Sequence, residues 1–141
     1  MDPITAVGFA SSILTFIDFS WNLVTGTYEV LESVSGTTAE NAHIGNVIDD
    51  LHAVTAALKS CQLGRSEHEK ALRQLASKCA NLSKELLNLL EKLKVKGKNS
   101  AWKSLKAKWE SMRKEKDISS LETRLREYRS QILVRLNLML G

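Results

Sequence analysis

The sequence predicts an all-α protein, an antiparallel helical bundle of four to five helices with the first helix central. Three observations lead there. Apolar residues recur at alternating steps of three and four over long stretches, the spacing of one helical face. One proline and seven glycines leave few helix breakers, and Leu, Ala, Lys, Ser and Glu dominate the remainder. No segment alternates apolar and polar residues as a half-buried strand would. At 141 residues the chain reads as a single domain, residues 1–141, long enough to bury a core without disulfides or metal.

Asp2 and Pro3 suit the N-cap and first position of helix one, which is expected to run to about Val34, where Ser35-Gly36-Thr37-Thr38 breaks it. Gly8, Ser11, Thr15, Asp18, Asn22, Thr25 and Glu29 fall on one narrow stripe. Ile4, Val7, Phe9, Ile13, Leu14, Phe16, Ile17, Phe19, Trp21, Leu23 and Val24 cover the rest. A helix apolar over so wide an arc belongs at the centre of a bundle.

Helix two is expected from about Thr38 to Ser60, with Ile44, Val47, Leu51, Val54, Leu58 and Cys61 on one face and Asp49 and Asp50 turned away. Gln62-Leu63-Gly64-Arg65 forms the turn. Ser66 and Glu69 have capping-box spacing at the start of helix three. Its stripe is Leu72, Leu75, Cys79, Leu82, Leu86, Leu89 and Leu93; Leu87 and Leu90 widen it, so the helix should touch two neighbours. Gly97 ends it. Ser100 is expected to cap a short helix with Trp102, Leu105, Trp109 and Met112 on one face. Asp117 is expected to cap the last, with Leu121, Leu125, Tyr128, Ile132, Leu136 and Met139 inward.

Catalytic chemistry finds little support, and no enzyme, cofactor or small-molecule substrate is expected. His43, His52 and His68 lie in unrelated contexts without an H-E-x-x-H pair. His52, Cys61, His68 and Cys79 do not have the gaps of a known zinc site, and both cysteines fall on apolar faces, so they read as buried structural thiols. Two cysteines of this kind suit a cytoplasmic protein. Val95-Lys96-Gly97-Lys98-Asn99-Ser100 lacks the glycine pattern and preceding strand of a phosphate loop.

Charge is unevenly spread. Residues 1–60 hold one base and seven acids, whereas residues 92–116 hold ten bases and two acids. The bases are Lys92, Lys94, Lys96, Lys98, Lys103, Lys106, Lys108, Arg113, Lys114 and Lys116. Such a run is either a solvated face balancing the acidic first half or a site for an anionic surface. Anionic lipid comes ahead of nucleic acid, because Trp102 and Trp109 have core spacing. Between Pro3 and Tyr28 the only charge is Asp18, so helix one also suits a bilayer. The pairs Ala6/Ala10, Gly8/Ser12 and Ser11/Thr15 allow close helix approach in lipid. Its polar residues make it a buried helix with latent membrane affinity, not a constitutive span.

The opening Met1-Asp2-Pro3-Ile4-Thr5-Ala6-Val7-Gly8-Phe9-Ala10-Ser11, with Phe16-Ile17-Asp18-Phe19, resembles the fungal N-terminal domain of STAND (NOD-like receptor) proteins, the HeLo-like domain. Leu121-Glu122-x-Arg124-Leu125-x-Glu127-Tyr128-Arg129-Ser130-Gln131-Ile132 is similar to the last helix of that family, so the resemblance covers essentially the whole chain. It implies a bundle related in architecture to the mixed-lineage kinase-like necroptosis effector. It further implies self-association driven by parent-receptor or sensor domains beyond residue 141, then movement from cytoplasm to plasma membrane and cell death. The inserting segment would be Ile4 to Leu23. Ser12 and Thr15 stand where members with a glycine zipper carry further glycine. The competing expectation is a passive interaction module that self-associates without touching a membrane.

Overall fold

The computed structural model describes residues 3–26, 43–59, 64, 66–97, 101–113 and 115–141, with the side chains of Pro3, Ile4, Val95, Lys96, Gly97 and Lys103 excepted. Among them are five helices: α1 (Pro3–Val24), α2 (Ile44–Ala56), α3 (Glu67–Gly97), α4 (Trp102–Met112) and α5 (Lys116–Leu140). The all-α expectation holds.

Contacts between side chains far apart in sequence give the directions. Asp18 pairs with Arg129, and the Arg126 guanidinium lies 5.3 Å from the Trp21 ring centre, so α1 and α5 run antiparallel. Arg124 reaches Glu85 at 2.5 Å and Arg135 reaches His68 at 3.0 Å, so α3 also opposes α5. Thr55 and Ser83 share a 2.7 Å hydroxyl hydrogen bond, and His43 bridges Ala101, which sets α2 against α3. The four long helices therefore alternate up, down, up and down, with α4 inserted before the last.

Both α1 and α3 are central: α1 packs on α2, α3 and α5, and α3 packs on all four others. One apolar core joins Phe9, Ile13, Phe16, Ile17 and Leu23 of α1 to Leu51 of α2, Leu82, Leu86 and Leu90 of α3, Trp109 of α4, and Leu121, Leu125 and Ile132 of α5. Most residues of the predicted stripes are buried; Val54, Leu89, Met112, Leu136 and Met139 are half-buried at their margins, Leu90 is buried in place of Leu89, and Ile48 widens the stripe of α2.

The helix ends differ more. Helix one stops at Val24, not near Val34, because Thr25 and Gly26 turn the chain and Gly26 takes φ +79°. An added Cβ there would be strained and would sit 3.2 Å from a Glu110 oxygen. Helix two ends at Ala56, and the Asn46 side chain accepts the His43 N–H at 2.9 Å at its start. At the start of α3 the expected capping box is present: Ser66 Oγ accepts the Glu69 N–H at 3.3 Å, and the Glu69 carboxylate accepts from the backbone of Ser66 and also from the Gly64 N–H. The N-cap of α5 is Glu115; Asp117 lies in the first turn, where its charge suits the helix dipole without capping it. Asp2, Ser35 to Thr38, Ser60, Cys61, most of the 62–65 turn and Ser100 lie outside the described residues; Ala101 occupies the N-cap of α4.

Candidate functional site

The wet and dry faces of α1 follow its sequence pattern. Phe9, Ile13, Phe16, Ile17, Phe19 and Leu23 are buried; Val7, Leu14 and Trp21 are half-buried; the Ile4 side chain lies outside the described residues. Thr5, Gly8, Ser11, Thr15 and Asn22 are exposed, and Asp18 is half-exposed. Nothing lies within 4 Å of where a Gly8 Cβ would stand, so the bundle does not need that glycine for packing.

Two hydroxyls of this side are turned back into the helix. Ser12 donates to the Gly8 carbonyl at 3.2 Å, and Thr15 donates to that of Ser11 at 2.9 Å. Such i−4 bonds satisfy the donors without a neighbouring helix or water. Ser20 differs: its Oγ is fully buried and has no hydrogen-bond partner among the described residues.

Among the described residues, polar ties hold α1 at its C-terminal end. Trp109 Nε1 donates to the Leu23 carbonyl at 2.8 Å in the core, and Arg113 Nη1 donates to the Thr25 carbonyl at 2.8 Å. Carbonyls near a helix C-terminus run short of internal donors, and the Leu23 carbonyl accepts the Gly26 N–H at 3.2 Å besides that of Trp109. With Asp18–Arg129 and Arg126 over Trp21, these ties fall between residues 18 and 25. Among the described residues, the stretch 5–17 meets its neighbours through apolar contact alone. Sequence reasoning placed Trp109 in the core but gave no sign of its hydrogen bond, since a carbonyl acceptor 86 positions away has no sequence signature.

The basic segment occupies the end of α3, all of α4 and the start of α5, which meet α1 at its C-terminal end. Lys92, Lys108 and Lys116 are exposed, and Lys94 and Lys106 are half-exposed. Arg113 is engaged: besides Thr25 it holds Glu122 at 3.3 Å. Lys92 and Lys108 line a groove of about 360 Å³ that also holds Glu115 and Asp117, so acids accompany the bases there. The side chains of Lys96, Lys98, Lys103 and Lys114 lie outside the described residues. The basic segment and the start of α1 are therefore at opposite ends of the bundle.

The remaining titratable groups have structural surroundings. Burial pushes the Cys79 thiol up to about 12. The Ser66 hydroxyl, donating at 2.6 Å, holds the Glu69 carboxyl below its ordinary range. No group of three or more His, Cys, Asp or Glu able to hold a metal occurs among the described residues. One helix, over Thr5–Val24, is long and apolar enough to cross a membrane, and half of it is buried.

A family model described as pigment biosynthesis cluster protein PigL N-terminal matches residues 1–140. No curated protein and no solved structure matches the chain.

Proposed function

The chain belongs to this PigL N-terminal family, a fungal N-terminal domain family, and from that premise we propose that it is a signalling and cell-death effector domain of HeLo-like type. In this reading it serves a fungal NOD-like receptor of the STAND class, resides in the cytoplasm, and acts at the plasma membrane when several copies are brought together. Helix α1 is the element that acts. The observation that carries the reading is the construction of α1: a span of membrane length, tied among the described residues by polar groups at its C-terminal end, with Ser12 and Thr15 bonded to its own backbone. Inside a bilayer each polar group without a partner costs several kcal/mol, so hydroxyls already satisfied within the helix remove part of the barrier to entry. Asp18 is the exception, and it would have to face water or another copy.

Leaving the core is costly, because burial stabilises by about 25 cal/mol per Å² of apolar surface. Release therefore needs lipid or neighbouring copies of the same helix, which makes activity depend on local concentration. The exposed stripe of Gly8, Ser11 and Thr15 would then become the face along which copies pack. The reading assigns the chain binding and permeabilising work and no catalytic step.

A disulfide between facing cysteines placed on α1 and α3 tests this. The oxidised protein should bind liposomes and retain its fold while dye release stops, and reduction should restore release. If the oxidised protein still releases dye, α1 does not act by leaving the bundle, and a passive self-association module becomes the better reading.

A further inference from the structure

Helix α5 carries more apolar surface than its two neighbours cover. Among the described residues it packs mainly against α1 and α3, which leave its outer side exposed. Toward its C-terminus that outer side is aliphatic: Leu133, Val134, Leu138 and Leu140 are 41%, 58%, 59% and 70% exposed. These are the large exposed hydrophobic residues among those described, and they fall within two turns of one helix. Scattered singly they would need no explanation, but as a cluster they form a patch of the kind that marks an interaction surface.

The chemistry beside the patch identifies its partner. Val134 also lines a groove of about 400 Å³ between α3 and α5, floored by Leu72 and Leu75 and edged by Lys78 and Arg135. No carboxylate lines it. Arg135 donates to His68 Nδ1 at 3.0 Å, since a guanidinium has no acceptor. Lys70 and Arg73 are exposed on the same stretch of α3; the nearby acids are Glu67 and the buried Glu69, which is held by Ser66 and Gly64, at the start of that helix, and Glu127, which accepts from Gln131 at 3.2 Å. From Ser130 to Gly141 the only charged side chain is Arg135. A second copy laid on this face would set these cations against their own images. Nucleic acid would find aliphatic groups where it needs stacking surfaces. An anionic bilayer matches both halves, with acyl chains for the leucines and phosphates for the cations.

We propose that the exposed end of α5, together with the α3–α5 groove, is a docking surface for an anionic phospholipid bilayer. It gives the membrane reading above its first point of contact and rests on that reading for its partner. Because α5 opposes α1, this surface lies at the end of the bundle where α1 begins. Docking therefore brings to the lipid the half of α1 that no polar tie holds among the described residues. The 92–116 segment is at the other end and is not needed for this step.

Flotation of the full chain with phosphatidylcholine vesicles, with and without phosphatidylserine, tests the surface, and dye release from the same vesicles reads insertion separately. Leu133→Ser/Val134→Ser/Leu138→Ser changes only exposed side chains, as does Lys78→Glu, so circular dichroism should be unchanged for both. Wild type should float only with the serine lipid. The triple variant should bind about tenfold more weakly, and Lys78→Glu should lose about tenfold through reversal of one charge. A triple variant that floats and releases dye as wild type does would overturn the docking surface and leave the membrane reading standing. Equal flotation with the neutral lipid would overturn the charge argument on which it is built. A wild-type dimer in ultracentrifugation that the triple variant dissolves would make a second copy the occupant. Flotation lost in the variants, with no dye release from wild type, would support the docking surface and refute insertion of α1. Wild type that neither floats nor releases dye would overturn both.

Discussion

Replacing Trp109 with phenylalanine removes a core donor that reaches the end of α1 while keeping an aromatic ring in place. The indole N–H lies 2.8 Å from the Leu23 carbonyl, and Trp109 is fully buried. A hydrogen bond of this kind contributes about 1 kcal/mol net. The Gly26 N–H still approaches the same carbonyl at 3.2 Å, so the acceptor is not stranded and the larger penalty for an unpaired buried group does not apply. Loss of the second ring leaves a small void that costs about 1 kcal/mol more. The sum, about 2 kcal/mol, corresponds to a fall of about 4–8 °C in melting temperature for a domain of this size. Urea denaturation followed by circular dichroism gives the first number. Native-state hydrogen exchange gives the place: amides at the end of α1 should lose protection before those of α3. An unchanged midpoint, or protection lost evenly across the bundle, would refute the assignment of Trp109 as the tie that holds α1.

Three further changes probe other parts of the same account. Phe16→Ala empties a fully buried site at the centre of α1 and should cost about 3–5 kcal/mol in denaturant unfolding, and a wild-type midpoint would remove α1 from the core. Gly26→Ala should destabilise by about 1 kcal/mol or more because of its left-handed backbone, whereas Gly8→Ala should be neutral or stabilise by about 0.5–1 kcal/mol, and thermal melts of the pair should move in these opposite directions. Cys79 keeps its proton to about 12 when folded but ionises near the ordinary thiol range when unfolded. The folded state then holds more protons, so stability should fall as pH rises from about 9 toward 12, and Cys79→Ala should flatten that decline in melts across the range.

Periodicity by itself determined the helices and their inward faces. A spacing of three and four places side chains on one side of a helix whatever surrounds it, and large apolar side chains on that side must be covered. Hence Leu72, Leu82, Leu86 and Leu93 of α3 and Leu121 and Leu125 of α5 are where their spacing put them. Helix ends were less legible, because capping depends on which polar groups come within reach. The Glu69 carboxylate also finds the Gly64 N–H, and Asp117 sits inside its helix instead of at its cap. The tertiary structure alone decided which polar groups serve α1. Trp109, an apolar-face residue by spacing, became its anchor, and Arg113, one of ten bases in a run, was drawn to Thr25 and Glu122. It also decided what stays uncovered. Residues 132–140 are apolar around most of the helix, but among the described residues α1 and α3 cover one side of α5, so Val134 and Leu138 face outward while Ile132 is buried. Local spacing reports which side chains share a face; only the number and placement of packed helices determine whether that face is covered.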